Sequence, residues 1–565
     1  MEYICLMAVL LVIMVIFFAR MSAEEKKRAR LFEEKLRKEY GHRPPKTYPG
    51  GRLEAVKRHY NRGLEDAFSL DEITLGDLDF ESLFKRIDRT HSAAGEEGLY
   101  RMLRVPCFDP GELARRKELI LYFREHEDER VRLQLYFASV GRTDRYSVYD
   151  YLDRCLALEK KSNAPHYLLI LLMLISLGIM FLNPTVGVLM LIMCIVYNFT
   201  VYFRQMRVIE PYISTFGYFL RILDMAEELE RCRIDKIDFL IKRICENRKR
   251  FAGFARFSSF LTKTNAMSSD PLEIVMDYLR MGLHLNIIKF YLMLEQIQKN
   301  SDAIAAIMAD MGYLEALITA GEFAESLPHF AWADLTQAPE KISLVAKKLY
   351  HPLLDEPVSN DVELAGSMLL TGSNASGKST FLKTVAIAQL MAQSFGFVCA
   401  EEYGSSYYRL FTSMAIRDDL GGGRSYYIVE IESLKRILDA AAQGTGDTKG
   451  CAVMCFVDEV LRGTNTVERI SAGAQILESL VQKGVFSFAA THDIELTDLL
   501  SASYANYHFE ESVEDGDVRF NYRLQSGKAQ SRNAIRLLSL MGYSEEITGQ
   551  ALKRAEHFIE TGDWI

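Results

Sequence analysis

Apolar residues along the chain are concentrated in two uncharged runs. Residues 3–19 are almost wholly apolar, and residues 167–203 contain no charged side chain. Asn183-Pro184 divides the second run into segments of about 16 and 19 residues, near the lower limit for crossing a bilayer. The pattern predicts one transmembrane anchor and one transmembrane hairpin that turns at Asn-Pro. A buried soluble hairpin and, for the first run, a cleaved signal peptide are the alternative interpretations.

Basic residues beside these runs predict the orientation of the chain in a membrane. Residues 20–60 hold thirteen Lys and Arg against six Glu. Lys160 and Lys161 precede the hairpin, and Arg204 and Arg207 follow it. Because positive charge is enriched on the cytoplasmic side, the N-terminus is expected outside and the large soluble parts inside. We therefore predict a multi-pass protein of the cell membrane whose soluble domains are cytoplasmic.

The rest of the pattern changes character near residue 327. Before it, Glu/Lys repeats predict a solvated helix that ends near Gly41, and helical periodicity runs through 61–160 and 208–325. After it, short β-like runs alternate with helical runs and glycine loops, which is typical of a parallel α/β domain. The predicted fold class is α and α/β. Its parts are a transmembrane anchor (1–20), a charged juxtamembrane segment (21–74), a helical core in two pieces (75–165 and 205–326) around the transmembrane hairpin (166–204), and an α/β domain (327–565).

Composition narrows the function classes. The 565 residues carry a net charge of −9 and are 49% hydrophobic, which excludes a collagenous, a wholly disordered or a globally basic chain. Nine cysteines without a Cys-x-x-Cys pair fit a reduced compartment. Residues 231–263 contain one basic patch, and phenylalanines at a spacing of three lie in its second part. The spacing favours a helix core face for the phenylalanines, whereas nucleic-acid contact stays open for the cations.

A phosphate-binding loop follows the apolar strand predicted at 367–371. The sequence reads G-x-x-x-x-G-K-S-T and then continues as a helix. In such a loop, glycines let backbone N–H groups face phosphate oxygens, the lysine reaches the β- and γ-phosphates, and the serine hydroxyl binds Mg²⁺. The candidate nucleotide-binding residues are Gly372, Ser373, Asn374, Ala375, Ser376, Gly377, Lys378, Ser379 and Thr380.

Two further predicted strands end in polar residues. The strand at 452–457 leads to Asp458, which is placed to hold Mg²⁺, and to Glu459, which could orient or deprotonate an attacking water. The strand at 485–491 leads to His492, which could sense the γ-phosphate. ATP and Mg²⁺ are the predicted cofactors. Lys378, Glu459 and His492 are the candidate catalytic residues, and Ser379 and Asp458 the candidate metal ligands.

These motifs resemble those of the MutS-family DNA mismatch repair ATPases, within the ABC-type ATPase group. The matching segments are residues 371–382, 417–425, 458–466 and 490–496, and a weaker likeness extends upstream to about residue 75. The resemblance implies a P-loop ABC-type ATPase domain at 327–565 that closes as a homodimer over two nucleotides. It also implies that Gly423, Arg424 and Ser425 act in trans on the partner's nucleotide, and that Asn465 lies along the dimer seam.

The chain departs from the family pattern in three places. About 50 residues separate the first apolar run from the core, too few for a mismatch-reading domain and a connector. The hairpin interrupts the core. Val358 stands near the place where the family tends to stack adenine on an aromatic ring, so Tyr522 is the candidate for that contact.

Two main functions are consistent with this pattern. The first is a membrane-anchored MutS-like ATPase, a dimeric switch that binds and hydrolyses ATP and acts on mismatched or otherwise structured DNA, as in DNA repair. The alternative is an ATP-driven switch for an unknown membrane or protein partner without DNA. An ABC transporter is the least supported class, because the Leu-Ser-Gly-Gly-Gln signature is absent. The predicted partners are a second copy of the chain, the bilayer, and either DNA or that unknown partner.

Overall fold

A computed structural model describes most of the chain. The described residues are 20, 23–24, 26–42, 46–65, 67–143, 146–251, 253, 278–336, 343–373, 376–414, 426–442, 451–514, 517–528, 535, 538–539, 541–561 and 563. The predicted anchor at 3–19 lies outside them. Residues 26–39 are helical, which agrees with the solvated helix predicted to end near Gly41.

The helices come first along the chain, and the strands are confined to its C-terminal part. After residue 50 the described helices are α1 (Arg52–Lys57), α2 (Glu72–Asp77), α3 (Phe80–Ile87), α4 (Ala93–Arg104), α5 (Pro110–Glu125), α6 (Glu127–Val140), α7 (Val148–Ala157), α8 (Ala164–Leu182), α9 (Pro184–Arg231), α10 (Asp238–Lys249), α11 (Leu285–Lys299), α12 (Ser301–Glu325), α13 (Lys378–Phe395), α14 (Tyr426–Ala442), α15 (Thr466–Gln482), α16 (Glu495–Leu499) and α17 (Glu545–Thr561). The strands are β1 (Ala331–Trp332), β2 (Asp334–Thr336), β3 (Leu344–Leu349), β4 (Asn360–Leu364), β5 (Ser367–Thr371), β6 (Phe397–Val398), β7 (Glu402–Ser406), β8 (Arg409–Ser413), β9 (Val453–Asp458), β10 (Phe486–Thr491), β11 (Tyr504–Glu514) and β12 (Asp517–Ser526). The fold is therefore mixed and rich in helix.

Helix α12 is the centre of the helical core. It is apolar enough to cross a membrane, yet 78% of its most apolar window is buried inside the protein. A helix that is apolar on all sides belongs either in lipid or in a core, and here it packs against α4 and α5. Its buried Glu315 accepts hydrogen bonds from the backbone N–H groups of His91 and Ser92, just before α4. Glu315 thereby satisfies donors near the start of a neighbouring helix.

A buried group of charges joins the segment before α1 to this core. Arg52 donates to Glu96 from Nε over 2.7 Å, and Lys46 contacts both Glu96 and Asp88. Arg52 and both acids are buried. The boundary expected at residues 74 and 75 falls inside α2, since the chain from Lys46 onward already packs into the core.

The apolar hairpin consists of α8 and the first part of α9. Both are long and apolar enough to cross a membrane, with mean hydropathy of 2.2 and 2.1 and only 11% and 17% of the window buried. Asn183 caps α9 by accepting from the N–H of Val186. The second helix continues well beyond residue 204, where the hairpin was expected to end, and reaches Arg231 with Pro211 inside it. The apolar hairpin and the core thus share one continuous helix.

Cations of the basic patch that precede residue 251 are largely ion-paired. Arg231 binds Glu227 and Glu228 at 2.8 and 2.9 Å, and Arg250 binds Asp302 at 2.6 Å. Further pairs are Lys236 with Glu118, Lys242 with Asp238, Arg243 with Asp310, and Arg248 with Glu227 and Glu230. Phe251 is buried, as expected for a core face, and the phenylalanines after it lie outside the described residues.

The C-terminal part is built on a six-stranded sheet in the order β12-β11-β5-β10-β9-β8. Strand β12 is antiparallel to β11, and the other five strands are parallel. Strand β5 is buried at all five positions and β10 at all six, as is typical of a parallel sheet covered on both faces. A four-stranded sheet, β2-β7-β3-β4, lies in the same domain.

Helices α4 and α12 cross so closely that a side chain larger than hydrogen at the crossing point should destabilise the protein. A Cβ at Gly98 would lie 2.6 Å from the backbone of Gly312, which cannot move aside. We expect Gly98→Ala to lower the free energy of unfolding of the helical core by about 1–3 kcal/mol. The measurement is denaturant unfolding of the full chain in detergent micelles.

Gly217→Ala is the matched control. Gly217 lies inside α9, and a Cβ there meets no atom within 4 Å. Alanine in a helix interior gains up to about 1 kcal/mol over glycine, so this variant should be as stable as the parent or slightly more stable. An equal loss of unfolding free energy in Gly98→Ala and Gly217→Ala would contradict the close crossing of α4 and α12.

Candidate nucleotide-binding site

Three parallel strands bring the predicted motifs to one edge of the sheet. Thr371, the last residue of β5, pairs in register with Thr491 of β10, and Ala490 pairs with Asp458 of β9. The loop after β5, the carboxylates that end β9 and the histidine after β10 therefore emerge side by side. Ligands of open α/β sheets bind at this carboxyl edge.

The loop after β5 has the backbone that its glycines permit. Gly372 has φ of 146° and Gly377 has φ of 103°, which side-chain-bearing residues rarely adopt. Helix α13 begins at Lys378, whose Nζ donates to the carbonyl oxygens of Gly372 and Ser373 at 2.7 and 2.8 Å. A helix N-terminus behind a glycine loop is a favourable place for a phosphate group.

Asp458 faces the start of the same helix. The Ser379 hydroxyl donates to Asp458 Oδ2, while the buried Asp458 Oδ1 has no hydrogen-bond partner among the described residues. Burial raises the pKa of Asp458, and the hydrogen bond from Ser379 opposes that shift. A hydroxyl beside a carboxylate with an unused oxygen fits Mg²⁺, which prefers oxygen ligands and keeps several waters.

Glu459 is held from two sides. His492 Nε2 lies 2.9 Å from Glu459 Oε1, and Arg462 Nε donates to Oε2. Burial would raise the pKa of Glu459, but the hydrogen bonds from His492 and Arg462 outweigh it and lower the pKa to about 2. His492 Nε2 is also 3.3 Å from Lys378 Nζ. Since lysine can only donate and Glu459 is ionised, the shorter contact assigns the Nε2 proton to the bond with Glu459.

Backbone geometry after β9 supports this arrangement. Glu459 and Leu461 both have φ near +57°, a left-handed conformation that costs energy for residues with a side chain. The buried carboxylate of Glu430 accepts from the N–H groups of Leu461 and Arg462 and holds the turn. Sequence reasoning assigned no role to Arg462. The only sequence signal for it was its position in the segment 458–466, which resembles the family motif.

An aromatic ring borders the loop on the other side. A Cβ at Gly377 would lie 3.1 Å from Cδ1 of Tyr522, so the ring lies against the loop. The Asn360 side chain fixes this strand by donating to the carbonyl oxygen of Tyr522 at 3.0 Å and accepting from the N–H of Leu524 at 2.7 Å. Val358 and Tyr522 line the same cavity, and the Tyr522 side chain is 43% exposed.

The predicted residues converge on one cavity of about 510 Å³. Those that line it are Ser373, Ser376, Gly377, Lys378, Ser379, Thr380, Asp458, Glu459 and Tyr522. Gly372 and His492 touch it through their contacts with Lys378. Asn374, Ala375, Gly423, Arg424 and Ser425 lie outside the described residues. Asn465 is apart from the cavity and caps α15 by accepting from the N–H of Glu468.

Comparison with known proteins agrees with this geometry. The family model described as MutS domain V matches residues 368–559. This part of the chain, which carries the candidate site, is therefore similar to MutS domain V. The match begins in β5 and includes the loop, Asp458, Glu459 and His492.

Individual MutS proteins are similar over a larger part of the chain. A DNA mismatch repair protein MutS of Thermus aquaticus is 32% identical over 36% of the chain and 24% of its own length. The MutS 2 of Haloarcula marismortui is 28% identical over 45% of the chain and 28% of its own length. The MutS of Thermotoga maritima is 26% identical over 61% of the chain and 41% of its own length. The chain thus spans less than half the length of these MutS relatives.

Proposed function

We propose that the protein is a membrane-anchored MutS-like ATPase, a dimeric switch that binds and hydrolyses ATP and acts on DNA. The observation that carries the ATPase proposal is the convergence of Lys378, the Ser379–Asp458 pair and the Glu459–His492 pair at one sheet edge. The match of residues 368–559 to MutS domain V supports it independently.

Each residue at this edge has a distinct task in the proposed reaction. Lys378 exchanges its bonds to loop carbonyls for the β- and γ-phosphates. Ser379 and Asp458 would hold Mg²⁺, which supplies neutralisation of phosphate charge when bound. Glu459 stays ionised because its pKa is about 2, so it orients the attacking water by accepting a hydrogen bond. His492 keeps that carboxylate in place.

Dimerisation is supported by exposed apolar side chains on α14 and α15, the latter next to the predicted seam residue. Val467, two residues from the predicted seam residue Asn465, is 76% exposed, and Ile428 is 45% exposed. Apolar side chains at such exposure favour a partner surface. In the proposed dimer, the partner's Gly423, Arg424 and Ser425 complete each nucleotide site, and hydrolysis removes the attraction across the seam.

The ATPase proposal is tested with purified full-length protein in micelles. Glu459→Gln keeps the size of the side chain but removes the carboxylate that orients water. We expect ATP binding to remain, hydrolysis to fall by about 10²–10⁴-fold, and an ATP-dependent dimer to accumulate in light scattering. Lys378→Ala should lose ATP binding.

Glu401→Gln serves as the control for charge removal, since Glu401 is an exposed residue paired with Lys348 at 2.7 Å. Its hydrolysis rate should equal that of the parent. An unchanged rate in Glu459→Gln would contradict the role of Glu459, and unchanged ATP binding in Lys378→Ala would contradict the site itself.

DNA is the first candidate target because the similar proteins are named DNA mismatch repair proteins. A membrane or protein partner without DNA is the second candidate. One observation favours it: the cations of the basic patch that precede residue 251 are largely engaged with carboxylates of the same chain. Cations that are already paired with carboxylates neutralise few DNA phosphates. Few counterions are then released from the DNA, and the non-specific affinity for DNA is low.

Fluorescence anisotropy with labelled DNA separates the two candidates. We expect Glu459→Gln with ATP to bind a mismatched duplex or a four-way junction, and the affinity to fall as salt rises. Lys378→Ala is the control without the nucleotide-bound state and should bind more weakly. Absence of binding at 50 mM salt would reject DNA and leave the membrane or protein partner.

The membrane location is supported by the exposed hairpin. The side chains of Leu189, Met193 and Phe181 are 62%, 65% and 86% exposed. Exposing so much apolar surface along two whole helices costs free energy in water, whereas the same surface is favourable in hydrocarbon. Helix α8 has 19 residues, a length of about 28 Å, close to the thickness of a bilayer core. With both hairpin ends in the cytoplasm, the nucleotide site is cytoplasmic as well.

Quenching by brominated lipids tests the insertion of the hairpin. In liposomes, Leu189→Trp should show additional tryptophan quenching, because its ring would contact acyl chains. Leu499→Trp is the matched control, since Leu499 is 60% exposed but lies in the α/β domain. Equal quenching in the two variants would reject the insertion.

A further inference from the structure

A second cavity lies inside the helical core, apart from the nucleotide site. Its volume is about 430 Å³, and its walls come from α4, α5, α7, α10 and α12 and from the chain after α1. Aromatic rings from separate elements line it: Tyr60, Tyr149, Phe239 and Tyr313. A cavity of this size with apolar walls and a few polar groups is typical of a small-molecule site.

Three carboxylates in these walls are already engaged. Glu112 accepts from Arg115 at 3.0 Å and from Arg116 at 3.1 Å. The carboxylate of Asp310 accepts from two nitrogens of Arg243.

The buried Glu97 accepts from the hydroxyl of Ser147 at 2.9 Å and from the N–H of Val148 at 3.0 Å. With all three acids satisfied by other groups, none of them is left as a counterion for a further arginine.

Arg101 is that further arginine. It lines the cavity from α4, and among the described residues its guanidinium has no hydrogen bond and no ion pair. Burial lowers the pKa of Arg101, and the neighbouring Tyr149 only partly opposes that shift. A guanidinium with five donors in a partly buried, aromatic-lined space is an arrangement that binds an oxyanion in a bidentate manner.

We propose that this cavity binds a small organic anion, with one phosphate or carboxylate group on Arg101 and a flat ring among the aromatic side chains. The anion supplies the counterion that the described chain does not. Tyr149 and Tyr313, which line the cavity from α7 and α12, are the rings proposed to contact it. This site is separate from the proposed ATP site and does not depend on it.

Fluorescence titration of the full chain in nanodiscs tests the proposal, with empty nanodiscs subtracted. The probes are 1-naphthyl phosphate and 1-naphthoate, which distinguish a phosphate from a carboxylate, and the uncharged 1-naphthol. We expect saturable binding of at least one anion below 1 mM, and binding of 1-naphthol at least tenfold weaker.

Variants locate the bound anion. Arg101→Met, which keeps an unbranched apolar stem but removes the guanidinium, should weaken anion binding at least tenfold, and Arg101→Lys should weaken it less. Arg231→Met removes a surface arginine that is paired with Glu227 and should change nothing. Lys378→Ala should also leave binding unchanged, because the phosphate loop is a different site.

Thermal unfolding adds a readout that does not need a ligand. Arg101→Met should be at least as stable as the parent, because it removes a desolvated charge that has no counterion. The proposal is overturned by absence of saturable binding, by equal affinity in Arg101→Met, by loss of binding in Lys378→Ala, or by a lower unfolding temperature in Arg101→Met.

Discussion

The candidate site depends on the parallel hydrogen bonding of β5, β10 and β9. Their registers place Thr371 beside Thr491 and Ala490 beside Asp458, so three loops far apart in sequence leave the sheet at one level. Slipping one strand by a single residue would turn every side chain to the opposite face and separate Asp458 from Ser379. The buried, apolar interiors of these strands make such a slip costly, and the geometry of the polar residues follows from the packing beneath them.

Much of this arrangement could be predicted from the sequence, because short segments of the chain determine it. Short apolar runs ending in G-x-x-x-x-G-K-S, in Asp-Glu and in Thr-His identify strands and the residues at their ends. The side-by-side order of the three strands then brings those residues together. The hairpin could also be predicted from local sequence, since a long uncharged run divided by one Asn-Pro turn is compatible with few other structures.

Other features depend on contacts between distant segments, and no local pattern predicts them. Arg462 acts on Glu459 only because a left-handed turn, held by Glu430, brings its side chain back. Tyr522 reaches the loop because Asn360, on another strand, fixes its backbone. The second cavity needs walls from helices between α4 and α12. The length of α9 was also missed, because the pattern changes from apolar to amphipathic within one helix.

That single helix has a mechanical consequence. Its 48 residues amount to roughly 70 Å, with the apolar turn at one end and Arg231, in the helical core, at the other. A tilt of about 5° at the core end would carry Asn183 sideways by about 6 Å, since displacement grows with the length of the arm. Small rearrangements among the packed helices are therefore enlarged at the apolar turn. With the hairpin in the proposed bilayer, lateral tension in the lipid would act through the same lever arm as torque on the core.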